Sequence, residues 1–277
     1  MQVGVRKISM RIGTHEFDVK NQTYIMGILN VTPDSFSDGG KYHGVDAALK
    51  RAEQMLCEGA AILDIGGEST RPGFTPVSEE EEMERILPVV EAVKRNIDIP
   101  VSVDTYKSVV AEAAILAGAD LINDIWGLKA DARMAELIAR HKVACCLMHN
   151  RTETVYKNFV QEVCADLKES LSLAEQAGIE KNKIILDPGV GFAKDYHQNL
   201  EVLRNLYQLR ELGYPVLLGA SRKSVIGLTL DLPSEERLEG TLTTTVAAVQ
   251  QGCAFVRVHD IKENYRAIQM AQAIYRK

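Results

Sequence analysis

Residues 58–67 read EGAAILDIGG, and the same pattern returns as LAGADLINDIWG at 116–127 and QGCAFVRVHD at 251–260. Each copy has a glycine placed to end a helix (Gly59, Gly118, Gly252), a small residue, an apolar-dominated run and a polar terminus. The glycine supplies the left-handed backbone that closes a helix, after which the chain enters a strand. Outward from these copies, five more runs of strand length end in the same way. They are YIMGILN to Asn30, IPVSVD to Asp104, VACCLMH to His149, KIILD to Asp187, and PVLLGASRK to Ser221 and Lys223. The runs are rich in Val, Ile and Leu, as strands buried on both faces are, and the segments between them carry apolar residues at helical spacing. Eight strand-then-helix units predict an α/β fold, a closed (β/α)8 TIM barrel, whose chemistry gathers at the C-terminal ends of its strands.

The length of 277 residues suits one such barrel, so residues 1–277 are read as a single domain. Residues 3–19 read as a β-hairpin turning near Gly13 and Thr14, and this N-terminal piece, residues 1–20, is expected to cap the bottom of the barrel. The acidic segment SEEEEMERI, residues 78–86, reads as a solvated helix start with Ser78 as N-cap and Glu81 at the capping-box position. A net charge of -6 gives no overall attraction for nucleic acid or an anionic membrane, so any anion must be held by a local cluster. No run approaches the ~18 apolar residues of a bilayer span, and the N-terminus lacks the apolar block of a signal peptide. Five cysteines without a CxxC pair, Cys57, Cys145, Cys146, Cys164 and Cys253, read as buried free thiols of a reducing cytoplasm.

Asp104, Asn123, Asp187 and Lys223 end four of the runs and are expected to point into one mouth. Each carboxylate alone could be a cap for the loop that follows it. Together they present carboxylate acceptors, an amide donor–acceptor pair and an ammonium donor, which match the edge of a 2-amino-4-oxo-pyrimidine. A charge-assisted hydrogen bond contributes roughly 1.5–3 kcal/mol, enough for such a set to bind a small heterocycle. Arg257 and His259 stand two apart on the last run, where barrels often bind phosphate. Asn30 and the loop after it are placed to give oxygen ligands to Mg2+, an ion that bridges to phosphate.

Two long polar loops, NVTPDSFSDGG at 30–40 and DIGGESTRPG at 64–73, stand in order with SVDT, INDI, the MH of LMHN, DPGVGF, GASRKS and VRVHD. On these strings the chain resembles the dihydropteroate synthase family, from Asn30 to Asp260. It departs from the family pattern at Asn150, where another Met is common, at Val190, and at Ala193, where Gly is common.

The resemblance implies a transferase of folate biosynthesis that joins 6-hydroxymethyl-7,8-dihydropterin diphosphate to 4-aminobenzoate, giving 7,8-dihydropteroate and diphosphate, by early loss of diphosphate. It implies a pterin site of Asp104, Asn123, Ile125, Met148, Asp187, Leu218 and Lys223, and a diphosphate site of Asn30, Arg257 and His259 with Mg2+ on Asn30. Asp104, Lys223, Arg257 and His259 take the catalytic roles. Thr70, Arg71, Pro72, Phe192 and Ser221 form the 4-aminobenzoate pocket, open to competing sulfonamides, with a helix dipole aiding Ser221. A cytoplasmic homodimer, joined near residues 243–249, completes the implication. Three other readings share some of these features: a Schiff-base aldolase using Lys223, a methyltransferase carrying a reduced folate to a cobalamin partner, and a pterin-binding paralogue without turnover.

Overall fold

The computed structural model describes residues 9–31, 40–68 and 77–276. The chain opens with an antiparallel hairpin, β1 (Ser9–Ile12) and β2 (His15–Asp18), paired from Ser9 opposite Asp18 to Ile12 opposite His15. Eight parallel strands follow: β3 (Tyr24–Asn30), β4 (Ala60–Gly66), β5 (Val101–Asp104), β6 (Leu121–Asp124), β7 (Ala144–Met148), β8 (Ile184–Asp187), β9 (Leu217–Leu218) and β10 (Phe255–Val258). Between them run α1 (Gly40–Glu58), α2 (Glu79–Asn96), α3 (Ser108–Leu116), α4 (Arg133–His141) and α5 (Phe159–Ala177). The second half adds α6 (Tyr196–Arg204), α7 (Leu206–Arg210), α8 (Ser224–Leu230), α9 (Leu238–Gln250) and the closing α10 (Ile261–Tyr275). Strands pair in the order β8-β7-β6-β5-β4-β3-β10-β9, and a parallel bridge between Leu186 and Val216 joins the two ends. The eight units therefore close as the strand count requires.

The repeat glycines act as their spacing predicts, with φ of 108° at Gly59, 111° at Gly118 and 77° at Gly252. Each ends a helix before a barrel strand, a conformation that L side chains rarely adopt. Ser78 caps α2 by accepting from the Glu81 amide at 3.1 Å. The acidic start of α2 is not wholly solvated, however. Glu82 is buried, and its carboxylate accepts from Lys107 Nζ at 2.7 Å. None of the five cysteines is bonded to another; Cys145, Cys146 and Cys253 are buried as expected, whereas Cys57 is exposed on α1 and Cys164 is half-buried.

Alternation along the strands sorts the side chains into two cores. Leu63, Val103, Ile122, Cys145, Leu147, Leu186, Leu218 and Val256 face the helices. Met26, Ile62, Leu121, Ala144, Cys146, Ile185, Leu217 and Phe255 face the barrel axis, where Met10, Ile12, Phe17 and Val19 of the hairpin segment pack against them from below. Phe17 meets Tyr24 edge-on at 5.0 Å and Phe255 at 5.6 Å. The bottom half of the interior is thus a dry plug. Whatever stands two residues further along each strand is pushed to the top of the barrel.

Candidate active site

The period-two rule fixes the site's composition. Two residues past Ile62, Leu121, Ile185 and Phe255 stand Asp64, Asn123, Asp187 and Arg257, and two past Ser102 stands Asp104. The structure brings these polar groups together inside the mouth. Arg257 Nε donates to Asp64 Oδ2 at 2.5 Å, and its Nη2 donates to Asp104 Oδ2 at 2.7 Å. Asp64 also accepts from Ser102 Oγ and, at 3.3 Å, from Asn123 Nδ2. Asp187 Oδ1 accepts from the Gly189 amide at 2.7 Å. Asp104 Oδ1 is buried with no hydrogen-bond partner among the described residues. A buried acceptor left unpaired costs about 1–3 kcal/mol, so it calls for a donor from a ligand.

Two sequence expectations are refined here. Arg257 lies between two carboxylates and so belongs to the same cluster as Asp104, with His259 two residues further along the chain. Asp64, at a strand end but assigned no role from sequence, is its main partner and is fully buried. The signal for it was its position two residues beyond Ile62, matching Asn123, Asp187 and Arg257. Leu218 also leaves the pterin site, because it packs into the helix-facing core, while Leu217 faces the barrel interior. Gly219, next inward, brings its backbone so close that a Cβ there would stand 3.4 Å from Asp187 Oδ2. Ile125 and Met148 remain at the mouth, buried and outside both apolar cores.

Lys223 follows β9 and precedes α8; its Nζ donates to Val190 O and stands 4.6 Å from the centre of the Phe192 ring. Phe192, half-buried, thereby lies beside Lys223. Ser221 has a partner within the protein. Its hydroxyl is 2.9 Å from His259 Nδ1 and accepts from the His259 amide at 3.3 Å, so it is engaged in holding that histidine. The seven-residue α8 begins at Ser224, three residues beyond Ser221. Asn30, at the end of β3, is exposed at the rim. Thr70, Arg71 and Pro72 lie outside the described residues.

The stems of that second loop are nevertheless defined. Lys107 Nζ contacts Glu68 Oε2, Glu82 Oε2 and Val77 O, and Glu68 in turn accepts from the Val77 amide at 3.2 Å and from Tyr106 OH at 3.2 Å. One partly buried ammonium therefore ties residue 68, residue 77 and α2 together.

Burial raises the proton affinity of Asp104 and Asp187 in the mouth. It pushes Asp104 up to about 7, with Arg257 opposing and the neighbouring Asp64 adding repulsion. It raises Asp187 too, against Lys223 and the Gly189 amide. Burial draws Lys223 down to about 8, with Asp187 opposing. The Arg257 guanidinium stays charged because Asp64 and Asp104 outweigh its own burial. Such a mouth offers carboxylate oxygens to ring and amino N–H groups, and cations to a carbonyl or an anion.

Comparison with known proteins agrees with this geometry. Residues 26–259 match the model of a family described as pterin binding enzyme. A dihydropteroate synthase of Clostridium beijerinckii is 57% identical over 97% of this chain and all of its own length. A solved dihydropteroate synthase of Clostridium difficile, in the presence of pteroic acid, superposes with a TM-score of 0.92 at 51% identity, covering 94% of this chain and 100% of that one. A Yersinia pestis dihydropteroate synthase in complex with a sulfonamide drug superposes with a TM-score of 0.90 at 40% identity, covering 96% of this chain and 98% of that one.

The raised affinity of Asp104 has a sign that can be measured. In an unfolded chain an aspartate titrates near ~3.9; here the value is about 7. The folded state binds this proton more tightly, so its contribution to stability falls as pH rises through that window and is level above it. Without ligand, the stability of Asp104→Asn relative to the native protein is expected to rise by roughly 2 kcal/mol between pH 5 and pH 8. Urea midpoints at the two pH values read this directly; a difference independent of pH would mean that Asp104 is not desolvated.

Proposed function

The chain belongs to the dihydropteroate synthase family of pterin-binding enzymes, and with that membership as premise we propose how its barrel mouth performs the reaction. It is a transferase of folate biosynthesis that condenses 6-hydroxymethyl-7,8-dihydropterin diphosphate with 4-aminobenzoate to give 7,8-dihydropteroate and diphosphate. The observation that carries the site assignment is the buried, unpaired Asp104 Oδ1 beside Asp187, Asn123 and Lys223. A pterin edge supplies donors to the two carboxylates and an acceptor to Lys223, with Ile125 and Met148 against its faces.

Arg257 is already paired with Asp64 and Asp104, using two of its donors. It acts on the leaving diphosphate from beneath, as part of the pterin floor, while His259, steadied by Ser221, stands on the same strand face nearer the rim. The C–O bond breaks first and its electron pair departs with diphosphate. The aniline nitrogen then gives its lone pair to the exposed carbon and releases a proton to solvent or diphosphate. Asp104 stabilises the cation between these events through its charge next to the ring.

Mg2+ fits this site in one way. Among the described residues no group of three acidic, His or Cys side chains is arranged to hold a metal. Asn30 offers one neutral oxygen at the rim, and Mg2+ commonly takes its other ligands from water and substrate phosphates. Asn30 would hold the ion, which when bound offsets charge on the departing diphosphate.

Phe192 and Lys223 form one wall for 4-aminobenzoate and for competing sulfonamides, which share its aryl amine. The Ser221 hydroxyl beside His259 and the exposed Ser224 at the start of α8 are the hydroxyls next to Lys223 that can meet the carboxylate. No helix among the described residues is long and apolar enough to cross a membrane, and a cytoplasmic location suits the enzyme's substrates. A homodimer would use the outer face of α9. Thr241, Thr245, Ala248 and Val249 are buried on its inner side and Val246 packs on the core, so Leu242 and Thr243 remain for that contact, and their replacement by charged residues should yield monomers in sedimentation.

Two measurements test the chemistry. Asp187→Asn converts one acceptor to a donor and should weaken pterin binding by about 2–4 kcal/mol while the fold persists; unchanged calorimetric affinity would remove Asp187 from the pterin site. In pre-steady-state work, the chemical step should vary little across saturating para-substituted anilines of different basicity. A steep dependence would place C–N bond formation in the transition state and refute early departure of diphosphate.

A further inference from the structure

Between β8 and α6 the chain turns tightly through Gly189, Val190, Gly191, Phe192 and Ala193. Ala193 has φ of 45°, in the left-handed region, which costs a non-glycine residue roughly 1–2 kcal/mol. The loop is therefore held by something other than its own preference. Lys194, buried at its end, points its ammonium back beneath it. Nζ donates to Gly189 O at 3.0 Å, to Phe192 O at 3.0 Å and to His149 Nδ1 at 2.8 Å. A lysine ammonium has three hydrogens and no acceptor, so all three are used.

The third bond fixes the histidine. With Nδ1 accepting, Nε2 carries the hydrogen and donates to Asp166 Oδ2 at 2.9 Å. Burial, then the adjacent Lys194 charge, holds His149 down at about 3, so the ring is neutral. Asp166 is itself gripped by Arg151 through Nε and Nη2. Arg151 lies 4.4 Å over the Tyr156 ring, and Tyr156 OH donates to Ala193 O at 2.8 Å. Asn199 completes the hold by accepting from the Gly191 amide at 2.6 Å. The free face of this loop is the one that meets Lys223, through Val190 O and the Phe192 ring. None of Lys194, His149 or Asp166 is assigned contact with substrate.

We propose that Lys194 is a positioning residue for the reaction: by holding the carbonyls of Gly189 and Phe192 it sets where Phe192 and Lys223 stand, and thereby the affinity of the 4-aminobenzoate subsite. The proposal rests on the reading that Phe192 lines that subsite. It accounts for a buried lysine, its proton affinity drawn down to about 7 by burial with Asp187 opposing, whose three contacts hold a loop that would otherwise relax, and for a neutral histidine used as an acceptor behind it.

Steady-state kinetics on the full-length protein test it with Lys194→Met, Phe192→Ala and the double variant. Lys194→Met is expected to raise KM for 4-aminobenzoate about tenfold or more with a smaller change in kcat. A residue that only supports the fold would lower the active fraction, and so kcat, while leaving KM alone. Because Lys194 acts through Phe192, the double variant should have a KM close to that of Phe192→Ala rather than the product of the two effects. If Lys194→Met does not fold, Tyr156→Phe removes one bond to the same loop and should raise the same KM about threefold. A raised KM in Phe192→Ala with an unchanged KM in folded Lys194→Met, or in Tyr156→Phe if Lys194→Met fails to fold, overturns the positioning role and leaves the subsite reading intact. An unchanged KM in Phe192→Ala refutes the subsite reading, and the positioning role with it.

Discussion

Arg257 lies between Asp64 and Asp104 inside a closed ring of strands, and much of the site follows from that one ion cluster. A carboxylate taken out of water loses its hydration, and only good geometry and further hydrogen bonds offset the loss. Asp64 has them: Arg257, Ser102 and Asn123 all donate to it. Asp104 has half of them, since one oxygen meets Arg257 and the other meets nothing among the described residues. The cluster thus holds one satisfied carboxylate as a foundation and one unsatisfied carboxylate as a ligand group. The second is a strain on the unliganded protein, as binding sites commonly are.

The dry lower half of the barrel makes this arrangement possible. Phe17, Met10 and Ile12 of the hairpin segment seal the interior under Phe255, Ile62 and Leu121, so water reaches the charged layer only from the mouth. A low-dielectric floor strengthens the attraction between Arg257 and its partners and raises the proton affinity of Asp104 and Asp187. Bulk apolar packing at one end of a strand and pKa shifts at the other are therefore linked through a two-residue offset.

Lysines serve the loops. Lys107 binds Glu68, Glu82 and the Val77 carbonyl, and Lys194 binds two loop carbonyls and His149. In both cases an ammonium with three hydrogens satisfies three acceptors from different segments. A compact, rotatable cation suits such a junction better than the planar fork of arginine. Strand ends thus hold the groups assigned to the pterin, while cations behind the strands fix the paths of the connecting segments.

The sequence by itself determined the barrel, because eight apolar runs with helical segments between them admit few other arrangements, and it located Asp104, Asn123, Asp187 and Lys223 at one end of it. It also marked the glycines that close the helices and the apolar hairpin, since these depend on local backbone geometry and on spacing. It was silent where a partner came from a distant strand. Leu217 and Leu218 are adjacent and chemically alike, and only the register of β9 beside β10 decides which of them faces the pocket. Asp64 and Arg257 are 193 residues apart, Ser221 and His259 are 38 apart, and His149 and Lys194 are 45 apart. Each of these side chains carries an ambiguous role alone, as cap, ligand or counterion. Closure of the barrel chose among those roles, because it set which groups were brought within hydrogen-bond reach and removed the water that would otherwise have served them.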